Sequence, residues 1–269
     1  MHSSKLTTDW TLLGEDDHPP FTIINEFGRS PILITCDHAS NRIPSKLGNL
    51  GLEPHHLLEH IAWDIGCARV CKRMSELLDA PLILAGYSRL VIDLNRHLDD
   101  VSLIPAVSDR IDVPGNKRLT DTEVSNRIEE LFLPYHDALS SLIELHRQSH
   151  EKILICSMHS FTPNFQGFER PWHIGILWNN DYRVAEELIG QLEKDASICV
   201  GKNQPYHAAE PLGYGMDVHA EQNGLLHALI ELRQDLLLND ADIEQWAEKL
   251  TEVFANATSV DDITIPGHR

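Results

Sequence analysis

The chain has 269 residues, and its 41 Asp and Glu residues outnumber its 22 Lys and Arg residues, which leaves a formal net charge of −19 at pH 7. A surface this negative repels phosphate backbones and anionic lipids, so the charge argues against nucleic-acid or membrane-surface binding. With 42% hydrophobic and 23% charged residues, the composition is that of a globular protein and not of a disordered chain.

The apolar runs of the chain are much shorter than the about 20 residues that cross a bilayer. The first residues lack the pattern of a secretory signal, and the five cysteines form no CxxC pair. We therefore expect a cytoplasmic protein whose cysteines are packed thiols and hold no zinc. Because the sequence shows no repeat or linker, we expect a single domain over residues 1–269.

Short apolar runs alternate along the chain with stretches of helical periodicity, which predicts buried strands covered by helices. The predicted strands are Ile32 to Cys36, Pro81 to Ala85, Ile153 to Ser157, Ile174 to Trp178 and Ala228 to Leu232. The predicted helices are Asp64 to Leu78, Val124 to Leu145 with a kink or break at Pro134, Asp181 to Asp195, and Asp240 to Phe254. The sequence therefore predicts an α/β protein with three layers, α/β/α. The proline-containing segment from His97 to Thr120 is expected to be a long surface loop bordering the site.

Two of the sixteen histidines come directly after predicted strands, where the active sites of α/β proteins lie. His38 follows the strand that ends at Cys36, and His159 follows the strand that ends at Ser157. Two imidazoles and a carboxylate form the usual open catalytic zinc site, so the pair predicts a metal site. Taken singly, each histidine is better explained by a hydrogen-bonded structural role, and it is the matched pair that favours a metal.

Two acidic residues are candidates for the same site. Asp64 lies at the start of a predicted helix, where a helix-capping role competes with a role as metal ligand. Glu231 lies inside an apolar strand, where burying a carboxylate is costly unless a charged group pairs with it. Glu231 is therefore predicted to be a general base beside a metal, or the partner of Arg233 on the same strand face.

The segment from Ser88 to Arg96 contains two arginines, which is unusual in so acidic a chain. A guanidinium group binds a carboxylate through two hydrogen bonds, so this segment predicts a pocket for an anionic substrate. Arg89 and Asp93 are the candidates for a structural ion pair, which would leave Arg96 to the ligand.

Five segments, spread in order over about 200 residues, together resemble the N-formylglutamate amidohydrolase family, and more closely its shorter members. They are Cys36 to Pro44, His60 to Gly66, Ser88 to Arg96, His159 to Pro163 and His219 to Arg233.

This resemblance implies a zinc-dependent hydrolase with the phosphorylase/hydrolase-like α/β/α fold and a mixed central sheet, similar to the zinc carboxypeptidases. It implies that His38 and His159 bind Zn²⁺. Carboxypeptidases have a Glu three residues after the first His, but that position here is Asn41, a poor ligand. Asp64 is therefore our choice of third ligand, with Asp37 in reserve.

The resemblance also implies roles for residues around the metal. They are Glu231 as general base, His219 or Arg89 as stabiliser of the oxyanion, Asn95 and Arg96 as the pair that holds a substrate carboxylate, and Ser40 and Asn41 at the rim of the substrate pocket. The implied reaction is hydrolysis of N-formyl-L-glutamate to formate and glutamate. Because the sequence around His38 departs from that of formylglutamate-cleaving members, another N-acyl amino acid or small acidic amide remains an alternative.

Other classes of function fit the sequence less well. No Gly-x-Ser-x-Gly nucleophile elbow occurs, which disfavours a serine hydrolase. Cys36 or Cys156 could act as a nucleophile beside a histidine. A carboxypeptidase-like peptidase, and a binding protein for a small acidic metabolite that does not cleave it, also stay open.

Overall fold

The computed structural model describes residues 11–206 and 213–259. Its strands are β1 (Phe21–Ile24), β2 (Ile32–Cys36), β3 (Leu82–Ala85), β4 (Val107–Ser108), β5 (Ile111–Asp112), β6 (Leu154–Phe161), β7 (Asn164–Phe165), β8 (Phe168–Glu169), β9 (Ile174–Leu177), β10 (Val200–Lys202) and β11 (Leu226–Arg233). Its α-helices are α1 (Cys67–Leu78), α2 (Asp121–Arg127), α3 (Leu133–Arg147), α4 (Arg183–Leu192) and α5 (Asp240–Ser259). Short 3-10 turns and two π-helical segments, Ile128–Phe132 and Gly215–Ala220, complete the described elements.

Seven strands form one mixed sheet in the order β1-β3-β2-β6-β11-β9-β10. The strands from β3 to β11 in this order run parallel, whereas β1 pairs antiparallel with β3, and β9 pairs antiparallel with β11. The central strands are buried on both faces, which is why they appear in the sequence as unbroken apolar runs. The predicted mixed α/β sheet is thus confirmed.

Helices cover both faces of this sheet. One apolar cluster joins α1, α4 and α5 to side chains such as Ile34 and Ile230. The other joins α3 and the segment after β3 to side chains such as Leu33 and Leu229. Successive residues of a strand point to opposite faces of the sheet, so neighbours such as Leu33 and Ile34 belong to different clusters. Each face of the sheet therefore packs against its own layer of helices. The predicted three-layer α/β/α arrangement is therefore correct.

Pro134 lies where the sequence predicted a break in the second helix. Instead of one helix, the chain forms α2, a π-helical segment at Ile128–Phe132, and then α3. Proline has no N–H to donate to the preceding turn, so the regular helical hydrogen-bond ladder is interrupted at this point. Helix α2 begins with a capping box between Thr120 and Glu123.

The segment from His97 to Thr120 is irregular, as expected, apart from the hairpin β4–β5 and one 3-10 turn. It packs on the residues that follow β3. The buried Asn116 donates hydrogen bonds to the carbonyls of Leu90 and Pro105, and Asp93 N–H donates to Leu103 O at 2.8 Å. The loop therefore holds the arginine-containing segment in place.

Cysteines 36, 67, 71 and 156 are buried, in agreement with the packing role predicted for them, but Cys199 is exposed. The thiols of Cys36 and Cys67 lie 3.6 Å apart, and those of Cys67 and Cys71 lie 3.9 Å apart. Among the described residues, no helix has the length and apolar character needed to cross a membrane.

Candidate active site

The sheet places the candidate residues at one edge. His38 lies two residues beyond the end of β2, and Asp64 lies three residues before α1. His159 and Glu231 are directly paired in the parallel register of β6 and β11, so their side chains share one face of the sheet. All four residues are buried.

Two of these positions differ from the sequence-based expectation. His159 is not beyond its strand but within it, because pairing with β11 continues to Phe161. Asp64 does not cap α1: the N-cap residue is Gly66, and the carboxylate of Asp64 instead contacts His159 and the backbone N–H of Ser160. The helix-capping alternative for Asp64 is therefore wrong.

His38, Asp64 and His159 form a compact cluster of possible metal ligands. One ligand atom from each lies within 4.8 Å of the others. Asp64 Oδ2 is 3.4 Å from Nδ1 of His38 and 2.9 Å from Nδ1 of His159. Because the three side chains come from separate parts of the chain, only the fold brings them together.

A second carboxylate determines which nitrogen of His38 faces the cluster. Asp93 Oδ1 accepts a hydrogen bond from Nε2 of His38 at 2.8 Å, and Asp93 Oδ2 accepts one from Arg89 at 2.6 Å. With its proton on Nε2, His38 presents the lone pair of Nδ1 toward Asp64. Burial opposes the charge of Asp93, but Arg89 and His38 hold the pKa of this carboxyl well below its usual range.

The cluster fits a divalent cation. Nδ1 of His38 is buried and has no hydrogen-bond partner among the described residues, although it points at a carboxylate. Two imidazoles and one carboxylate are the donor set of an open catalytic zinc site. Burial alone would lower the pKa of His159, but its hydrogen bond with Asp64 and the charge of that group raise it to about 10. The cluster thus attracts positive charge.

Glu231 lies beside this cluster. Its Oε2 atom is buried without a hydrogen-bond partner in the described chain. Burial, together with the charge of Asp64, raises the pKa of Glu231 to about 7. The alternative partner, Arg233, binds Asp235 at 2.7 Å and the carbonyls of Arg170 and Pro171 instead. Glu231 therefore does not form the structural ion pair with Arg233 that the sequence left open.

Asn95 and Arg96 follow Asp93 at the edge of the site. The side-chain oxygen of Asn95 accepts the backbone N–H of Gly215 at 3.2 Å. The guanidinium group of Arg96 binds the hydroxyl of Ser102 and the carbonyl of Asn95, and it forms no ion pair with a described carboxylate. Arg96 is half-buried.

Ser40 and Asn41 are already engaged within the protein. Ser40 Oγ accepts hydrogen bonds from the backbone and side chain of Arg42, and Asn41 donates to Leu57 O at 2.8 Å.

His219 lies on the π-helical segment Gly215–Ala220 and contacts a second buried histidine. Nε2 of His136 donates to Leu94 O, which leaves Nδ1 of His136 to accept the proton of His219 Nε2 at 2.9 Å. Burial and the charge of His219 lower the pKa of His136 to about 3. The pair is therefore neutral near pH 7.

Asp37, the reserve ligand, is held by Tyr135, whose hydroxyl donates to Asp37 Oδ1 at 2.5 Å. Its other oxygen has no hydrogen-bond partner among the described residues and lies 3.9 Å from Nε2 of His159. The sequence did not single out Tyr135, since it lies on the apolar stripe of a predicted helix. The sequence also did not predict the contact of Asp93 with His38. The signal that could have found it is the segment from Ser88 to Arg96, in which Asp93 is a buried acid between two arginines.

Cys36 and Cys156 end up in the apolar core. Cys156 is completely buried, and burial raises the pKa of its thiol well above the ordinary value. A thiol is a poor nucleophile without ionisation, so this position does not favour a cysteine mechanism.

The chain resembles known proteins in sequence and in fold. The family model for N-formylglutamate amidohydrolase matches residues 30–238. The chain belongs to the N-formylglutamate amidohydrolase family. This family points to an amidohydrolase, which acts on a small amide.

Two solved structures share the fold of this family member. A gene product of Agrobacterium tumefaciens is 35% identical, with a TM-score of 0.89 over 92% of this chain and 98% of its own. An N-formylglutamate amidohydrolase from Ralstonia eutropha is 19% identical, with a TM-score of 0.69 over 90% of this chain and 98% of its own. A comparison with curated protein sequences found no match.

Proposed function

We propose that this protein is a zinc-dependent amidohydrolase that cleaves an N-formyl or N-acyl amino acid, with N-formyl-L-glutamate as the first candidate substrate. The observation that carries the proposal is the meeting of His38, Asp64 and His159 next to the unpartnered carboxyl of Glu231. Family membership and the description of the Ralstonia eutropha relative support the choice of substrate.

His38, Asp64 and His159 would hold the zinc ion, with Asp93 fixing the tautomer of His38. When bound, a zinc ion supplies a Lewis acid and lowers the pKa of a water toward about 7. Asp37 is held back from the cluster by Tyr135 and stays in reserve as a ligand.

Glu231 would accept the proton of the attacking water and deliver it to the leaving amine. A pKa of about 7 suits both steps, because the group is protonated and deprotonated with equal ease near neutral pH. Its place beside His159 in the sheet puts the carboxyl next to the proposed metal ligands.

Arg96 would bind the carboxylate of the substrate, since its charge is not neutralised by an ion pair with a described residue. Arg89 lies 3.8 Å from Asp64 and is the better placed of the two proposed oxyanion donors. His219 shares its Nε2 proton with His136, so it would need to rearrange to donate.

A pair of variants tests the proposal. Glu231→Gln should keep bound zinc and lower kcat by roughly 100-fold to 10,000-fold, because the proton transfer is lost. His38→Ala should lose the metal as well as the activity. Metal content is measured by elemental analysis, and formate release from N-formyl-L-glutamate measures turnover. Glu252→Gln, at an exposed position of α5, is the matched control.

Full activity in Glu231→Gln would remove this residue from the mechanism. Tight binding of N-formyl-L-glutamate by the wild type, with the intact ligand recovered afterwards, would replace hydrolysis by ligand binding. We also propose a reducing compartment such as the cytoplasm, which suits the free cysteines.

A further inference from the structure

Glu231 has two neighbours on its face of the sheet. His159 is paired with it on β6, and Gly175 is paired with it on β9. Gly175 is in turn paired with Gly201 on β10. Across the sheet, the proposed metal ligand His159 is therefore followed by Glu231 and then by two glycines, Gly175 and Gly201. The missing side chains leave a trough in the sheet surface next to Glu231.

The chain that follows β10 fills this trough. A Cβ atom on Gly175 would clash with the carbonyl of Gln204, and one on Gly201 would lie 2.9 Å from Gln204 Cβ. Asn203 fixes the turn through its own N–H to Ile176 O at 3.0 Å and through its side-chain oxygen, which accepts Trp178 N–H at 2.9 Å. Tyr206 lies two residues beyond Gln204 on this same segment.

Arg170 holds the hydroxyl of Tyr206. This arginine is buried, with 5% of its surface exposed, and its Nη1 donates to Tyr206 Oη at 3.1 Å and to Thr162 O at 3.3 Å. Its guanidinium group stacks on the rings of Phe165 and Tyr206 at 4.7 and 4.8 Å. Arg170 therefore fixes both the ring and the hydroxyl of Tyr206.

The direction of these hydrogen bonds determines what Tyr206 can bind. Since Oη accepts from Arg170, its own proton is free to be donated. Burial and the charge of Glu231 raise the pKa of Tyr206, so the hydroxyl keeps that proton near neutral pH. Its partner must therefore be an acceptor, such as a carbonyl or carboxylate oxygen.

We propose that Tyr206 is a substrate-binding residue that donates a hydrogen bond to an oxygen of the acyl amino acid on the Glu231 side of the site, and that Arg170 is its positioning residue. The proposal rests on the proposed function, because it assigns a further residue to the same site.

Tyr206→Phe removes only the hydroxyl. Its loss should lower kcat/KM for N-formyl-L-glutamate by roughly 10-fold to 100-fold, as expected for a hydrogen bond to a charged or strongly polar acceptor. Zinc content and melting temperature should not change. Tyr182→Phe, at the N-cap of α4, is the matched control and should match the wild type in all three measurements. A kcat/KM for Tyr206→Phe within twofold of the wild type would overturn the proposal.

The positioning role of Arg170 predicts a non-additive effect. If Arg170 acts through Tyr206, then Arg170→Met combined with Tyr206→Phe should be no less active than Tyr206→Phe alone. A structural role of Arg170 would instead give losses that multiply. Arg170→Lys is made in parallel, because it keeps the charge if the methionine variant is unstable, and it should recover part of the activity lost in Arg170→Met.

Calorimetry of N-formyl-L-glutamate binding separates this proposal from the proposed function. Binding is measured in Glu231→Gln and in Glu231→Gln with Tyr206→Phe. A fivefold or greater weakening supports Tyr206 even if the wild type proves unable to hydrolyse the ligand. Equal binding by the two variants, or binding by neither, contradicts the assignment of Tyr206.

Discussion

Asp93 has a second role besides the one that its sequence neighbours suggest. The sequence pairs it with Arg89, four residues before it, and the structure contains that ion pair at 2.6 Å. Its other oxygen, however, holds His38 at 2.8 Å, across the sheet edge. One carboxylate therefore orients both an arginine of the site and a proposed metal ligand.

Asp93→Asn should weaken zinc binding by roughly 10-fold to 100-fold, because an amide is a weaker acceptor for the Nε2 proton and no longer fixes the tautomer of His38. The dissociation constant is measured by competition with a chromophoric chelator. Asp112→Asn, on the exposed strand β5, should bind zinc like the wild type. An unchanged dissociation constant in Asp93→Asn would mean that His38 is oriented by other contacts.

At the scale of elements, the two central strands do more than build the core. Strands β6 and β11 have 8 residues each, and both are buried up to and including the pair of His159 and Glu231. Their neighbour β9 contributes a glycine at the corresponding position, and the chain after β10 lies against it. Two residues of the candidate site thus lie within the sheet itself, so a change in strand packing is expected to move them.

Two glycine substitutions test this packing. Gly175→Ala should lower the free energy of unfolding by about 1–3 kcal/mol, because the methyl group would overlap the backbone of Gln204. Gly190→Ala, in α4, meets no atom within 4 Å and should raise the free energy of unfolding by about 0.5–1 kcal/mol through helix propensity. Urea denaturation measures both. A Gly175→Ala protein as stable as the wild type would show that the segment after β10 is not tightly packed there.

At the scale of the whole molecule, the buried histidines link stability to acid. His136 and His219 are buried as a neutral pair in the layer between α3 and the sheet. The folded-state pKa of His136 is about 3, below the value of about 6.5 in an unfolded chain. Between these values the unfolded chain binds more protons, so this group makes the protein less stable as the pH falls from about 6.5 toward 3.

His136→Asn should remove that dependence, since asparagine can still accept the proton of His219 but does not titrate. The free energy of unfolding is measured by urea at pH 7, 6 and 5 for both proteins. Relative to the wild type, the variant should gain up to about 1.4 kcal/mol per pH unit below the unfolded pKa. Parallel curves for the two proteins would show that His136 does not contribute to acid sensitivity.

Much of the architecture could be predicted from local pattern. The buried strands Ile32–Cys36 and Leu226–Arg233 and the helix Cys67–Leu78 match runs and stripes in the sequence to within a few residues, because burial selects apolar side chains at fixed spacing. The short edge strand Phe21–Ile24 was not predicted, since its burial alternates weakly and leaves little signal.

The sequence by itself determined that His38, Asp64, His159 and Glu231 are chemically suited to one site, because residue type and strand context are local properties. It could not determine which atoms meet. Tertiary structure alone decided that Asp64 faces the two histidines instead of capping a helix, that Asp93 orients His38, and that Gln204 packs on the glycine paired with Glu231. These contacts join residues far apart in the chain, so the distances between them depend on the folded sheet and on the segments that follow β2 and β3.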